Sequence, residues 1–179
     1  MALRRIFLLV ACASCFSVAA QADITGTVDA SITLTAGCII NGQDNDDQSS
    51  AADFGLLDFG THNTLFTEAD GQILGGGTGI EIQCSPGIAP TLHFDAGEND
   101  GEGTGTGSRA MAHDATAGQY VTYDLYSDAG RTTVIPIGGD VPLAPTGALQ
   151  TVNIYGRAFG AAGLVTGGYS DVITVLLEL

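Results

Sequence analysis

The chain has 179 residues, the size of one domain, and 26 of them are glycine; charged residues make up 14% and tryptophan is absent. Twenty acidic side chains face five basic ones, all arginine, for a formal charge of −15; with no basic patch to neutralise phosphates, a nucleic-acid partner is excluded. A mean hydropathy of +0.26 is too apolar for a disordered chain, and the glycine content with so few charges excludes a helical bundle or coiled coil.

Residues 1–22 have the three parts of a signal peptide: Arg4-Arg5, an apolar run from Ile6 to Ala13, and Ala20-Gln21-Ala22, whose small residues signal peptidase accepts. Cleavage there leaves Asp23 as the new N-terminus. A competing pattern, Leu9-Val10-Ala11-Cys12, resembles a bacterial lipobox and would place a lipid on Cys12, although its hydrophobic region is short. The apolar run is too short to span a bilayer. Removing the leader takes away Arg4 and Arg5 but no acid, so three arginines against twenty acids give the mature chain a formal charge of −17. It also leaves two cysteines, Cys38 and Cys84. Two cysteines in an exported chain are expected to pair, because that compartment is oxidising, and closing so long a loop stabilises by ~4 kcal/mol. A metal or a reactive thiol would need further ligands or a CxxC spacing.

Next in the chain, Ile24, Gly26, Val28, Ala30, Ile32 and Leu34 alternate with polar residues, which predicts an amphipathic strand about 36 Å long. Further strands are predicted at residues 53–59, 80–84, 91–95, 120–126, 132–137, 151–159 and 169–179. Turn-forming clusters separate them at 41–50, 75–79, 97–107, 128–130, 138–139 and 160–168. No window offers a helix of three turns. Seven or eight short strands without intervening helices predict an antiparallel β-sandwich, with no internal repeat and no linker.

Motifs that carry chemistry are missing from this framework. Asp44-Asn45-Asp46-Asp47 has Ser49 where a calcium loop needs glycine. Glu98, Asp100, Glu102 and Gly103 imitate such a loop until Arg109 stands at the position of its bidentate acid. Gly75-Gly76-Gly77-Thr78-Gly79 is not a phosphate loop. His62, His93 and His113 are far apart, GxSxG is not present, and lysine is absent altogether. His93, between Leu92 and Phe94, is expected to face outward. No catalytic residue, metal ligand or cofactor is therefore expected, and function is sought in the backbone and the surface. The N-terminal strand could pair with any open sheet edge, and the segment 168–179 ends the chain inside an apolar strand with none following to cover it. That combination suits donation of strands between molecules, while a return of the first strand onto its own domain is the alternative.

Cys38, then Asp53-Phe54-Gly55-Leu56-Leu57-Asp58-Phe59-Gly60 and Ile80-Glu81-Ile82-Gln83-Cys84, resemble the spore coat protein U family, which includes the pilins of archaic (Csu-type) chaperone–usher pili. Tyr123-Asp124-Leu125-Tyr126-Ser127-Asp128 with Arg131-Thr132, then Val152-Asn153-Ile154-Tyr155-Gly156-Arg157, then Gly168-Tyr169-Ser170-Asp171, continue the resemblance in order. It implies an all-β, incomplete immunoglobulin-like antiparallel sandwich over residues 38–179, preceded by a donor-strand segment over 23–37. A periplasmic chaperone would fill the missing strand. At an outer-membrane usher the N-terminal strand of the next pilin subunit would replace it. On this sequence the donor side chains would be Ile24, Val28, Ala30, Ile32 and Leu34. The acceptor-groove strand, also gripped by the chaperone, would carry Val172, Ile173, Val175, Leu177 and Leu179, and Cys38–Cys84 would be the family disulfide. Two departures stand out: Val134-Ile135-Pro136 where Trp-Gly is frequent, and a terminal Leu where Phe is frequent.

The resemblance thus implies a structural subunit of a surface pilus, exported through the periplasm and serving attachment and biofilm formation. The alternative is a secreted surface- or spore-coat protein of the same fold that forms no pilus. A calcium- or sugar-binding module, the third class, would require a cation dependence that the loops do not predict.

Overall fold

The computed structural model describes residues 23–46 and 48–179, so the expected leader and Cys12 lie outside the described residues. The chain parts into two units between Thr33 and Leu34. In the first, residues 23–33 have no regular secondary structure, and Ile24 and Val28 are 98% and 95% exposed. The strand predicted over residues 24–35 is therefore not formed. Alternating apolar side chains give a segment the capacity for a strand, but a ladder requires a hydrogen-bonding partner, and none is assigned among the described residues.

The second unit holds fourteen strands: β1 (Gly37–Ile40), β2 (Gln43–Asp46), β3 (Leu56–Leu57), β4 (Glu68–Leu74), β5 (Ile80–Cys84), β6 (Thr91–Gly97), β7 (Arg109–His113), β8 (Tyr120–Tyr126), β9 (Val134–Ile135), β10 (Gly139–Pro142), β11 (Gln150–Val152), β12 (Tyr155–Phe159), β13 (Tyr169–Ser170) and β14 (Ile173–Glu178). They form antiparallel sheets in the orders β11-β5-β1-β2, β10-β6-β14 and β13-β7-β8-β12-β4-β3, with β9 added beside β8. All three sheets feed one apolar core. Ile40, Ile80 and Ile82 come from the first, Leu92 and Phe94 from the second, and Ala69, Val121, Leu125 and Ala158 from the third. This is the antiparallel sandwich predicted from the strand pattern, and it fits the immunoglobulin-like architecture that the resemblance implied.

Several strand boundaries differ from those predicted, each for a physical reason. The run 151–159 splits at Asn153–Ile154, so that β11 joins one sheet and β12 another; alternation continues across the break and conceals it. The run 169–179 splits likewise at Asp171–Val172. Five strands were not predicted: β1, β2, β4, β7 and β10. The sequences of β2 and β10, Gln-Asp-Asn-Asp and Gly-Asp-Val-Pro, have low strand propensity and are held by their neighbours rather than by composition. Conversely, of the strand expected at 53–59 only Leu56–Leu57 joins a ladder.

Cys38 and Cys84 face each other across β1 and β5 and are bonded, with Cα atoms 4.0 Å apart. The adjacent Ser85 N–H donates to Gly37 O at 3.0 Å, which makes the cysteines a non-hydrogen-bonded pair, the closer of the two antiparallel spacings. Arg109 is wholly buried. Its guanidinium donates to the carbonyls of Phe94 and Asp95 on β6 and of Ile135 and Pro136 beside β9, at 3.1–3.4 Å, and so ties one sheet to the other.

Candidate functional site

The C-terminal strand lies at a sheet edge. β14 pairs with β6 on one side only, from Ile173↔Gly97 to Glu178↔Thr91, and no main-chain bond occupies its other side among the described residues. Alternation sorts its side chains. Ile173, Val175 and Leu177 pack on the core, while Thr174, Leu176 and Glu178 face solvent. The ladder carries one bulge, with an extra residue on β6 at Asp95–Ala96, where the Asp95 carboxylate accepts the Ala96 N–H at 2.9 Å.

Beside this edge opens an apolar cleft of ≈ 1330 Å³. Its floor includes Ala69, Phe94, Met111, Val121 and Tyr123; one wall is the stretch from Leu164 to Val175, and the other is formed by residues 52–64 and Phe66. The second wall is held in place without an extended ladder. Asp53, Asp58 and Asn63 each accept the backbone N–H two residues on, from Gly55, Gly60 and Leu65, at 2.7–2.9 Å. Leu57 and Phe59 seat on a glycine saddle where Gly71 and Gly156 pair. A Cβ on Gly71 would lie 2.8 Å from the Asp58 carbonyl oxygen and one on Gly156 2.8 Å from Leu57 Cδ2, so glycine at both positions allows this approach without displacing the wall. Phe59 then meets Tyr123 edge-on, with ring centroids 5.8 Å apart.

The motifs read from the sequence find structural work around this cleft. Arg131, at a φ of +54°, donates to Gly156 O, Ala129 O and Gly71 O at 3.0–3.2 Å, bonds that offset its left-handed backbone and secure the saddle from behind. Asp128 accepts from Thr132 and Thr133, whose backbone N–H groups hold its carboxyl below the usual range. Tyr123 Oη donates to Asp171 Oδ2 at 2.6 Å, and burial followed by this bond pushes the phenol far above its usual range.

Of the residues expected to form the acceptor strand, Ile173 and Val175 line the cleft and Leu177 packs on the core. Val172 also borders the cleft but precedes β14 and is 64% exposed. Leu179, expected among the groove-lining residues, is 44% exposed past the strand's end, in a hollow with Ala36 and Gly87–Ala89; the ladder stops at Glu178 and no longer fixes its direction. The expected donor residues Ile24, Val28, Ile32 and Leu34 are exposed, as is Ala30. His93 faces outward as predicted, its Nδ1 bonded to Asp140 at 2.6 Å. Sequence reasoning missed the wall of residues 52–66 as a site element. Its signal was the repeated Asp-Phe-Gly at 53–55 and 58–60, which reads as a turn pair rather than a strand.

The family profile of the Spore Coat Protein U domain matches residues 24–176. The chain belongs to that family. A comparison with curated proteins returned no match. Among solved structures, the chain is similar to one in the crystal structure of the CsuC–CsuE chaperone–tip adhesion subunit pre-assembly complex from archaic chaperone–usher Csu pili of Acinetobacter baumannii. The identity is 15% and the TM-score 0.47, over 83% of this chain and 41% of that one, so this family member spans about two fifths of the other chain's length.

Proposed function

We propose that this family member is a structural, non-catalytic subunit of a chaperone–usher surface pilus, polymerising by donor-strand complementation for attachment and biofilm formation. One observation carries the reading: β14 offers an edge that is unpaired among the described residues, along an apolar cleft, and the same chain carries an amphipathic segment with Ile24, Val28, Ile32 and Leu34 exposed. An unpaired edge beside an apolar groove is a template for β-augmentation, in which main-chain bonds give affinity and alternate side chains give fit. On this reading the partners are neighbouring pilins, a periplasmic chaperone that holds the β14 edge before assembly, and an outer-membrane usher. The destination is the cell surface.

The test is unheated denaturing electrophoresis of surface-sheared material. A ladder of stable oligomers that collapses on boiling is expected, and a monomer band alone overturns the proposal. The family's description favours one other reading, a surface- or spore-coat protein that does not form pili. Electron microscopy of the same material separates the two, since a coat role yields sheet or amorphous layers without fibres.

A further inference from the structure

We infer that Asp171 is the positioning residue of the acceptor edge, setting where β14 begins and therefore which amides and side chains it offers to an incoming strand. The inference rests on the subunit reading above. Asp171 sits where the chain leaves β13 in the seven-stranded sheet and enters β14 in the three-stranded one. Its two oxygens serve different partners. Oδ1 accepts the Glu98 backbone N–H at 3.0 Å and the Asn99 side-chain amide at 3.1 Å, both just past β6. Oδ2 accepts the Tyr123 hydroxyl at 2.6 Å from β8 in the opposite sheet. One carboxylate thereby joins the end of β6, the start of β14 and the cleft floor.

The location matters because the register of β14 changes right beside it. Ile173 opposes Gly97, whereas Val175 opposes Phe94, so the ladder slips by one residue between them. A one-residue slip carried down the strand would turn Val175 outward and Leu176 inward, exchanging the face that lines the cleft. Ile173 is the last paired residue on the far side of the bulge, and Asp171 holds the chain just beyond it through its side chain. Tyr123 is 2% exposed, and its burial keeps the phenol protonated and able to donate. Without this anchor the entry to β14 must be ordered at the moment of binding, and the entropy of that ordering is subtracted from the affinity.

The experiment uses the full mature chain and a fluorescent synthetic peptide of residues 23–36, with affinity measured at 10 °C, far from thermal unfolding. Wild type, Asp171→Ala, Asp171→Asn and Tyr123→Phe are compared, with hydrogen exchange followed on the amides of Ile173–Glu178 in each complex. Losing a hydrogen bond to a charged group predicts about tenfold weaker peptide binding for Asp171→Ala and Tyr123→Phe. Asp171→Asn, which keeps an acceptor oxygen, should be intermediate. Protection at Ile173 should fall more than at Leu177. Lowered melting temperatures with unchanged affinity and unchanged exchange would mean that Asp171 is merely structural, and would overturn the inference. If Asp171→Ala fails to fold, Tyr123→Phe decides alone, since it removes a single hydroxyl. Absence of peptide binding by the wild type sinks the subunit reading and this inference with it, whereas binding by the wild type with equal binding by every variant sinks this inference only.

Discussion

At the scale of single residues, the three arginines of the described residues are all committed to internal bonds. Arg157 bonds Asp70 at 2.7 and 3.1 Å and holds its carboxyl below the usual range. That contribution is present above the ordinary carboxylate pKa and is lost as pH falls through the lowered one; being exposed, it is small. Arg109 is different, because four main-chain carbonyls converge on one planar group. Lysine presents its N–H bonds from a single atom and cannot span them. Arg109→Lys should therefore lower unfolding stability by about 2–4 kcal/mol, read from urea midpoints, and a loss below ~1 kcal/mol would contradict a bridging role. His93 supplies a pH prediction. The bond to Asp140 raises the imidazole pKa, with Asp95 and Glu178 adding to it. The pair's contribution is thus complete below the ordinary histidine value of about 6.5 and fades as pH rises through the raised folded value. NMR titration should show this histidine titrating high, and Asp140→Asn should bring it down. An unchanged midpoint in the variant would remove Asp140 as the cause.

At the scale of elements, the faces of two strands can be told apart by paired substitutions. In β14, Val175 packs on the core whereas Leu176 is half-exposed. Val175→Asp places a carboxylate among apolar groups and should destabilise the fold by several kcal/mol (about 3 or more), while Leu176→Asp should cost about 0.5. Comparable losses in thermal denaturation would show the face assignment to be wrong. The N-terminal segment has the same logic in trans. Ile32→Asp should leave the domain's stability unchanged but stop oligomer growth, and Thr33→Asp, on the opposite face, should leave the oligomer ladder nearly intact.

At the scale of the whole molecule, charge and topology set the conditions of assembly. With no arginine left free on the described surface and a formal charge of −17 over residues 23–179, two copies of the chain repel as they approach. The donor segment itself carries Asp23 and Asp29. Association of the 23–36 peptide should therefore accelerate with salt, by several-fold (roughly) between 0.01 and 0.15 M, because screening shortens the Debye length from about 30 to 8 Å. Slower association at higher salt would point instead to attraction between unlike charges. The Cys38–Cys84 bond ties β1 to β5 across a separation of 46 residues. Replacing both by alanine should cost ~4 kcal/mol in chemical denaturation, and alkylation of the non-reduced wild type should leave Cys38 and Cys84 unlabelled.

The all-β class, the cysteine pair, the outward His93 and the half-buried alternation of Ile173, Val175 and Leu177, though not the Leu179 expected with them, were legible in the sequence, because each follows from local rules: period-two patterning, few charges, and the spacing of two thiols. Tertiary structure alone decided the rest. The runs 151–159 and 169–179 look continuous because alternation records which face is buried, not which sheet a strand joins. The polar strands β2 and β10 form because neighbours complete their ladders, a non-local gain that propensity does not encode. The cleft depends on the wall of residues 52–66, whose side chains satisfy its own turns, and on β14 lying at the edge of its sheet. Both are consequences of strand order, and strand order is set by the packing of distant residues around one core, with Arg109 and Asp171 joining sheets that lie far apart in the sequence.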